Sequence, residues 1–338
     1  MSYSTFLIRR LLLVPVMLVG VTLVVFAVTR LVPADPLAVI VSEKAMDNPQ
    51  VVQAAVEKWG LDRSLPEQYL RFLGNLLHGD LGLSFKTRRP VTMDLAEFLP
   101  ATLELTFASM LFALLLGIPL GIVAALRAGG WTDRLIRLVT LLGTSTPPFW
   151  SGLIALFFLY YHLGLLPGPG RIDTRMVAPP PVTNLYTVDA LLARDGAAFL
   201  DALRHLLLPA VVLGSIPLAI IARLTRASLL ETLQMPYVTT ARSKGLTERV
   251  VILRHALRNA LIPVVTVIGL SFASLMSGAV MTETVFAWPG LGRYMVEASA
   301  NLDYPAIMGG TLIIATTYIF VNLIVDLSYG LLDPRVRG

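Results

Sequence analysis

Residues 240–263 read TARSKGLTERVVILRHALRNALIP and carry Arg242, Lys244, Arg249, Arg254 and Arg258, with Glu248 as the single acid and one glycine, Gly245. Guanidinium and ammonium groups at this density recognise carboxylates, phosphates or anionic lipid; they do not make bonds. Covalent chemistry has little else to work with. The chain holds no cysteine, which removes disulfides, thiolate metal sites and thiol nucleophiles. A GxSxG nucleophile, an HExxH metal site, aspartates paired inside an apolar helix, a GxxxxGK[ST] phosphate loop and a dinucleotide fingerprint are all absent. His162 has no second ligand at helical spacing and reads as interfacial packing, while Glu104 and Asp326 close the ends of apolar runs and read as structural.

The element that must present the basic group is a pair of short helices. Between Arg223 and Arg258, Leu229, Leu230, Leu233, Tyr237, Val238 and Ala241 recur at helical spacing. Gly245 permits a positive φ and ends the first helix. Thr247 is placed to cap a second helix that carries Val250, Val251, Leu253 and Leu257. Two helices meeting at a corner make a knob with an apolar tip and basic flanks, a shape suited to a groove in a soluble partner. A hairpin lying on anionic lipid would also explain the charges, but not the corner.

The chain around this knob is a membrane protein. Of its 338 residues 55% are hydrophobic and 14% charged, too little charge for an ordinary soluble domain. Six runs free of Asp, Glu, Lys and Arg cover 11–29, 105–126, 138–170, 205–222, 259–282 and 304–325. A bilayer takes about 20 helical residues to cross, so the expected fold is all-α with six transmembrane helices. The third run is long enough to continue as a loop ending in LLPGPGR, and the fourth is of borderline length. The first run reads as an uncleaved anchor, because it is longer than a signal core and no small-x-small cleavage site follows it.

Charge sets the expected orientation. With both termini cytoplasmic, the inner segments hold 14 Lys and Arg against 5 Asp and Glu, and the outer segments 13 against 16. Three regions follow: 1–30 with the first span, 31–100 as an extracytoplasmic helical subdomain, and 101–338 as a core with spans two to six. In the subdomain, PQVVQAAVEKWGL reads as one short helix and SLPEQYLRFLGNLL as another, with Ser64 and Glu67 in capping-box spacing and Leu65, Tyr69, Phe72, Leu73 and Leu76 on one face. The core includes an outer loop, 164–204, and an inner loop, 223–259. The outer loop opens on Pro167, Gly168, Pro169, Gly170 and Arg171 and serves as docking element, lid or tether. Ser271, Ser274, Ser277 and Gly278 line the fifth span at helical spacing, compatible with close helix packing and with a polar translocation path.

The sequence resembles the membrane-spanning subunits of bacterial ABC importers. Their inner loop carries a Glu-Ala-Ala triplet followed at fixed spacing by Gly and Ile-x-Leu-Pro. Here Ala241, Gly245 and Leu257 match, whereas Thr239, Thr240, His255 and Arg258 depart from that pattern. The departures are those of the dipeptide, oligopeptide and nickel branch, whose loop is similar to TARSKGL followed by RHALRNALIP. FLIRRLLLVPV, HGDLGLSF, PATLELT, TETVFAWPGLGRYM and VNLIVDLSYGLLDPRVR extend the likeness over nearly the whole chain. Length and the outer loop are most similar to the dipeptide permeases, with nickel and glutathione permeases as near relatives.

The resemblance implies a non-catalytic permease subunit in the bacterial inner membrane that translocates dipeptides or short peptides. It implies as partners a homologous second permease, two cytoplasmic ATPase subunits that bind ATP and Mg, an extracytoplasmic peptide-binding protein and membrane lipid, with no nucleic acid. This chain itself would bind no cofactor or metal. Thr239, Thr240, Ala241, Lys244, Gly245 and Leu246 would couple to the ATPases, and Pro167 to Arg171 would meet the binding protein. A stand-alone channel or intramembrane enzyme is the rival class; the elaborate inner loop disfavours the first, and the missing nucleophile and metal motifs the second.

Energy coupling can be tested directly. An ion-coupled carrier keeps an ionisable side chain near mid-membrane, and none of the six runs contains Asp, Glu, Lys or Arg. Transport by the complex in vesicles supplied with ATP should therefore persist when an uncoupler is added. Loss of uptake with ATP held constant would return the carrier reading.

Overall fold

The computed structural model describes residues 3–31 and 62–332, with isolated residues between 48 and 56. Among the described residues the regular structure is helical, with one isolated antiparallel bridge between Leu83 and Pro90. The helices are α1 (Tyr3–Leu31), α2 (Leu65–Leu77), α3 (Val91–Leu126), α4 (Trp131–Ser145), α5 (Pro148–His162), α6 (Tyr186–Leu192) and α7 (Gly196–Leu233). They are followed by α8 (Pro236–Ser243), α9 (Glu248–Ala260), α10 (Ile262–Gly278), α11 (Val280–Val285), α12 (Leu291–Ala300) and α13 (Tyr304–Leu332). The helix expected over PQVVQAAVEKWGL falls where only isolated residues are described.

Four helices, α1, α3, α7 and α13, are long and apolar enough to cross a bilayer alone, and two bent pairs bring the number to six if each pair is one span. Counted in that way, the third and fifth of the six expected spans are broken helices. α4 and α5 meet at 102°, and α9 and α10 at 52°. The first break falls at Thr146-Pro147-Pro148, two consecutive residues without an N–H, the first of which drives its predecessor out of the helical region. Thr146 has an extended backbone and folds its hydroxyl back on the Leu142 carbonyl at 2.9 Å. Pro263, at the start of α10, accounts for the second.

Two spans are longer than their apolar runs. α3 has 36 residues and α7 has 38. A boundary at residue 100 therefore cuts through α3, which runs unbroken past Pro100. The fourth span, borderline by hydropathy, is the longest helix among the described residues, because polar turns at both ends keep helical spacing after the apolar run stops.

α3 and α7 lie side by side and point the same way. Gly214 faces Ser109, Gly117 faces Leu218 and Ile221, and Gly121 faces Ala222 and Thr225. A Cβ on Gly121 or Gly214 would stand 2.6 Å from the neighbouring backbone oxygen, so only glycine permits this approach. Lipid offers no hydrophobic drive to pair two apolar helices, and close van der Waals contact through small residues supplies it instead. Leu105, Met110, Leu213 and Ile221 fill the seam, with Val264 and Leu275 of α10 closing it. The apolar face of α2 docks on α1 through Tyr69 and Phe72, whose rings lie 5.5 and 6.1 Å from that of Phe26. Leu65 of the same expected face is exposed. The expected capping geometry is present at Ser64, whose N–H donates to Glu67 at 3.3 Å.

The 164–204 loop is folded and pinned. Arg171 Nη2 meets Glu104 of α3 at 2.6 Å and also donates to the Asn184 carbonyl at 2.8 Å. Its guanidinium lies 3.8 Å over the Tyr186 ring. The other Glu104 oxygen accepts from the Thr187 N–H at 2.8 Å and hydroxyl at 2.7 Å. Gly170 donates to the Phe286 carbonyl at 2.9 Å. Asp189 organises the next turn by accepting from the N–H of Thr183 at 2.8 Å and its hydroxyl at 2.7 Å. Both partners of the Glu104–Arg171 pair are buried, and removing one side of such a pair costs about 3–5 kcal/mol. Arg171→Met should therefore loosen the loop and speed tryptic cleavage after Arg175 and Arg194, whereas Arg171→Met with Glu104→Gln should recover part of the protection. Equal cleavage of wild type and the single variant would show that the pair does not hold the loop.

Candidate functional site

The knob predicted from the sequence exists and has a core of its own. α7 continues beyond the apolar run to Leu233, and a turn at Gln234 and Met235 leads into α8. α9 then returns toward the bundle. Val238, Ala241, Val251, Ala256 and Ala260 close on Leu229 and Ala125. Where this cluster stands in water, the hydrophobic effect holds it, at roughly 25 cal/mol per Å² of apolar surface covered.

The corner follows from a few residues. Lys244 N–H bonds the Thr240 carbonyl at 3.1 Å and Gly245 N–H the Arg242 carbonyl at 2.9 Å, which ends α8. Gly245 has φ 77°, the left-handed region that a Cβ disfavours. Thr247 takes the extended N-cap backbone, yet its hydroxyl makes no cap bond to α9. Arg242 forks onto Glu248 across the corner, Nη2 to Oε1 at 2.6 Å and Nε to Oε2 at 3.1 Å. That hydrogen bonding holds the Glu248 carboxyl below its usual range.

Of the six residues expected to couple, Thr239, Thr240, Lys244, Gly245 and Leu246 are exposed, and Ala241 is buried. Ala241 therefore packs the knob and does not present a surface. Arg249, Arg254 and Arg258 are exposed on α9. The base of the knob is tied by Asn259 Nδ2 donating to Tyr237 Oη at 2.7 Å. Deeper, Asp133 at the start of α4 is fully buried and receives Arg226 of α7 at 2.7 and 2.9 Å, with the Gly129 N–H at 3.0 Å. The root of the knob is thus locked to the neighbouring turn.

The remaining sequence-predicted residues are not brought together with it. Arg171 is 7% exposed and engaged with Glu104, so its guanidinium is not offered to another protein; Pro169 is exposed and Pro167, Gly168 and Gly170 are half-buried. Ser274, Ser277 and Gly278 are exposed and Ser271 half-buried on α10, which also exposes Leu270. The Ser277 hydroxyl is spent on the Ser274 carbonyl at 3.1 Å. This stripe opens away from the chain's own core.

Asp94, Asp133, Asp189, Glu283 and Asp303 are buried acids that the sequence does not single out. Glu283 of α11 is fully buried and accepts from the Thr102 hydroxyl at 2.5 Å and the Arg293 N–H at 2.9 Å, while Thr102 Oγ1 accepts from the Leu291 N–H at 2.7 Å. Gly290 leaves no room for a Cβ beside that carboxylate. The clue was TETVFAWPGLGR, an acid seven residues before a Gly-x-Gly helix start. Burial and the Asp94 charge raise the Tyr294 phenol above its usual range, which keeps its hydroxyl a donor to Asp94 at 3.3 Å.

Comparison with known proteins gives the family. Residues 117–338 match the family described as binding-protein-dependent transport system inner membrane component, and residues 3–106 match the N-terminal region of the same type of component. The chain is 48% identical over 334 residues to the di/tripeptide transport system permease protein DppB of Pseudomonas aeruginosa, covering 98% of each chain. It is 46% identical over 320 residues to the probable D,D-dipeptide transport system permease protein DdpB of Escherichia coli, covering 94% of each. Identity to the Escherichia coli dipeptide transport system permease protein DppB is 43% over 334 residues, again 98% of each chain. With a family match over 117–338 and relatives of 43–48% identity along nearly its whole length, the chain belongs to the family of inner-membrane components of binding-protein-dependent transport systems.

Proposed function

We propose that this chain is the permease subunit of an ATP-driven importer that carries dipeptides or other short peptides across the inner membrane, with both termini in the cytoplasm. It pairs with a homologous second permease. Two cytoplasmic ATPases bind ATP and Mg and seat on the corner at Gly245, and an extracytoplasmic binding protein delivers the peptide. The chain binds no cofactor. The peptide substrate is supported by the names of its relatives, and the orientation by the excess of Lys and Arg in the segments that carry the corner.

The observation that carries the reading is the corner itself. A left-handed glycine sets an exposed turn at the far end of a 38-residue helix. A hairpin meant only for a lipid surface needs no such bend. A Cβ at Gly245 would meet nothing within 4 Å, so a substitution there acts through backbone strain and not through collision inside the chain. Gly245→Val should cost about 1–2 kcal/mol locally and leave insertion and pairing intact, while the ATPases either fail to co-purify or hydrolyse ATP without peptide transport. Arg249→Gln should be milder. If both variants bind ATPase and transport normally, the lipid-surface reading replaces this one.

The delivery contact lies on the outer loop. Val177 and Val182 are 87% and 69% exposed around the buried Pro179, a firm apolar strip on a loop already fastened by Arg171. Val177→Asp with Val182→Asp leaves that fastening in place, and should cut peptide uptake several-fold while the complex assembles normally. Normal uptake by this variant would reduce the strip to a tether.

A further inference from the structure

The corner is held by side chains and not by its backbone. Among the described residues, the backbone bonds of Lys244 and Gly245 reach back to Thr240 and Arg242, and those of Val250 and Val251 reach back to Thr247. Neither set joins α8 to α9. Two side-chain contacts do so at nested positions, Tyr237 with Asn259 near the base and Arg242 with Glu248 near the tip. The hydrophobic cluster of Val238, Ala241, Val251 and Ala256 lies between the two rungs in sequence. The cluster stops at Ala241 and Val251, and residues 242–250 beyond it are all exposed. With Gly245 conformationally free and the Thr247 hydroxyl making no cap bond, the angle at the tip depends on the Arg242–Glu248 fork.

A forked guanidinium–carboxylate contact fixes both separation and plane, which a single-point ammonium contact does not. Its position also suits the two helix ends, a cation in the last turn of α8 and an acid in the first turn of α9. An exposed pair adds little to overall stability. It can still select one orientation of a short corner, and Leu246 sits between its partners as the exposed apolar tip.

We propose that Arg242 and Glu248 are positioning residues whose forked pair holds the corner at the angle that seats Gly245 and Leu246 on the ATPase. This rests on the coupling role proposed above. Loss of the fork leaves the permease folded and the ATPase able to bind, but lowers the number of peptides moved per ATP hydrolysed.

The test uses the whole complex in vesicles and compares Arg242→Glu, Glu248→Arg, the double exchange, Arg242→Lys and Gly245→Val. Peptide moved per ATP and ATPase co-purification are measured for each. Each single reversal should lower the ratio by about fivefold, the scale of coupling between neighbouring residues, and the double exchange should restore at least half of it. Arg242→Lys, which keeps charge but loses the fork, should fall between. A double exchange as defective as the worse single reversal would mean that each residue meets the ATPase separately, and the proposal fails. Single reversals that leave the ratio unchanged while Gly245→Val lowers it would overturn the fork alone. If Gly245→Val also leaves it unchanged, the coupling role of the corner falls with it.

Discussion

The architecture depends on how closely α3 and α7 approach. Two apolar helices surrounded by lipid gain no hydrophobic free energy by meeting, so their pairing rests on contact at a separation that only glycine allows. Gly117, Gly121 and Gly214 provide that separation, against backbone oxygens at Leu218, Ala222 and Ser109. The pair is parallel, and this fixes everything attached to its ends. Glu104 in the first half of α3 is placed to receive Arg171, and Arg226 toward the C-terminal end of α7 is placed to receive Asp133. The knob then continues from α7 with its root already fastened.

Ionic groups sort to the two ends of the bundle. Glu104, Arg171, Glu283, Asp94 and Asp303 belong to one end, and Asp133, Arg226, Arg242 and Glu248 to the other. The buried ones are satisfied in different ways. Glu104 and Asp133 have cations, whereas Glu283 relies on a hydroxyl and a helix start. Between the two ends, the apolar seam of α3, α7 and α10 carries only small hydroxyls such as Ser109, which bonds back to the Leu105 carbonyl at 2.7 Å. That division lets one chain keep a water-facing apparatus on each side of the membrane.

The sequence showed the spans, the corner at Gly245 and the docking face of α2, because each is written in local spacing. It did not show the break at Thr146-Pro147-Pro148 as a change of direction, although two prolines were in view, because hydropathy averages over a bend. Helix lengths were underestimated for a related reason. Polar residues at the ends of α3 and α7 end an apolar run without ending a helix. The Glu104–Arg171 and Asp133–Arg226 pairs join residues 67 and 93 positions apart, and only packing of the intervening helices makes them neighbours. Arg171 is the clearest case: by composition a loop charge open to a partner, in the fold a buried internal one.

The 38 residues of α7 form one helix from the outer loop to the base of the knob, a rod of about 57 Å at the usual rise per residue. A rod of that length turns small rotations into large displacements. A tilt of about 10° around its midpoint would carry each end by roughly 5 Å, and in opposite directions. Two prolines lie inside the helix, Pro209 before that midpoint and Pro217 just past it, each removing a backbone bond and locally softening the rod. Compliance is therefore greatest around the middle of the rod, and the proline-free stretch from Leu218 to Leu233 that leads to the knob is the stiffest.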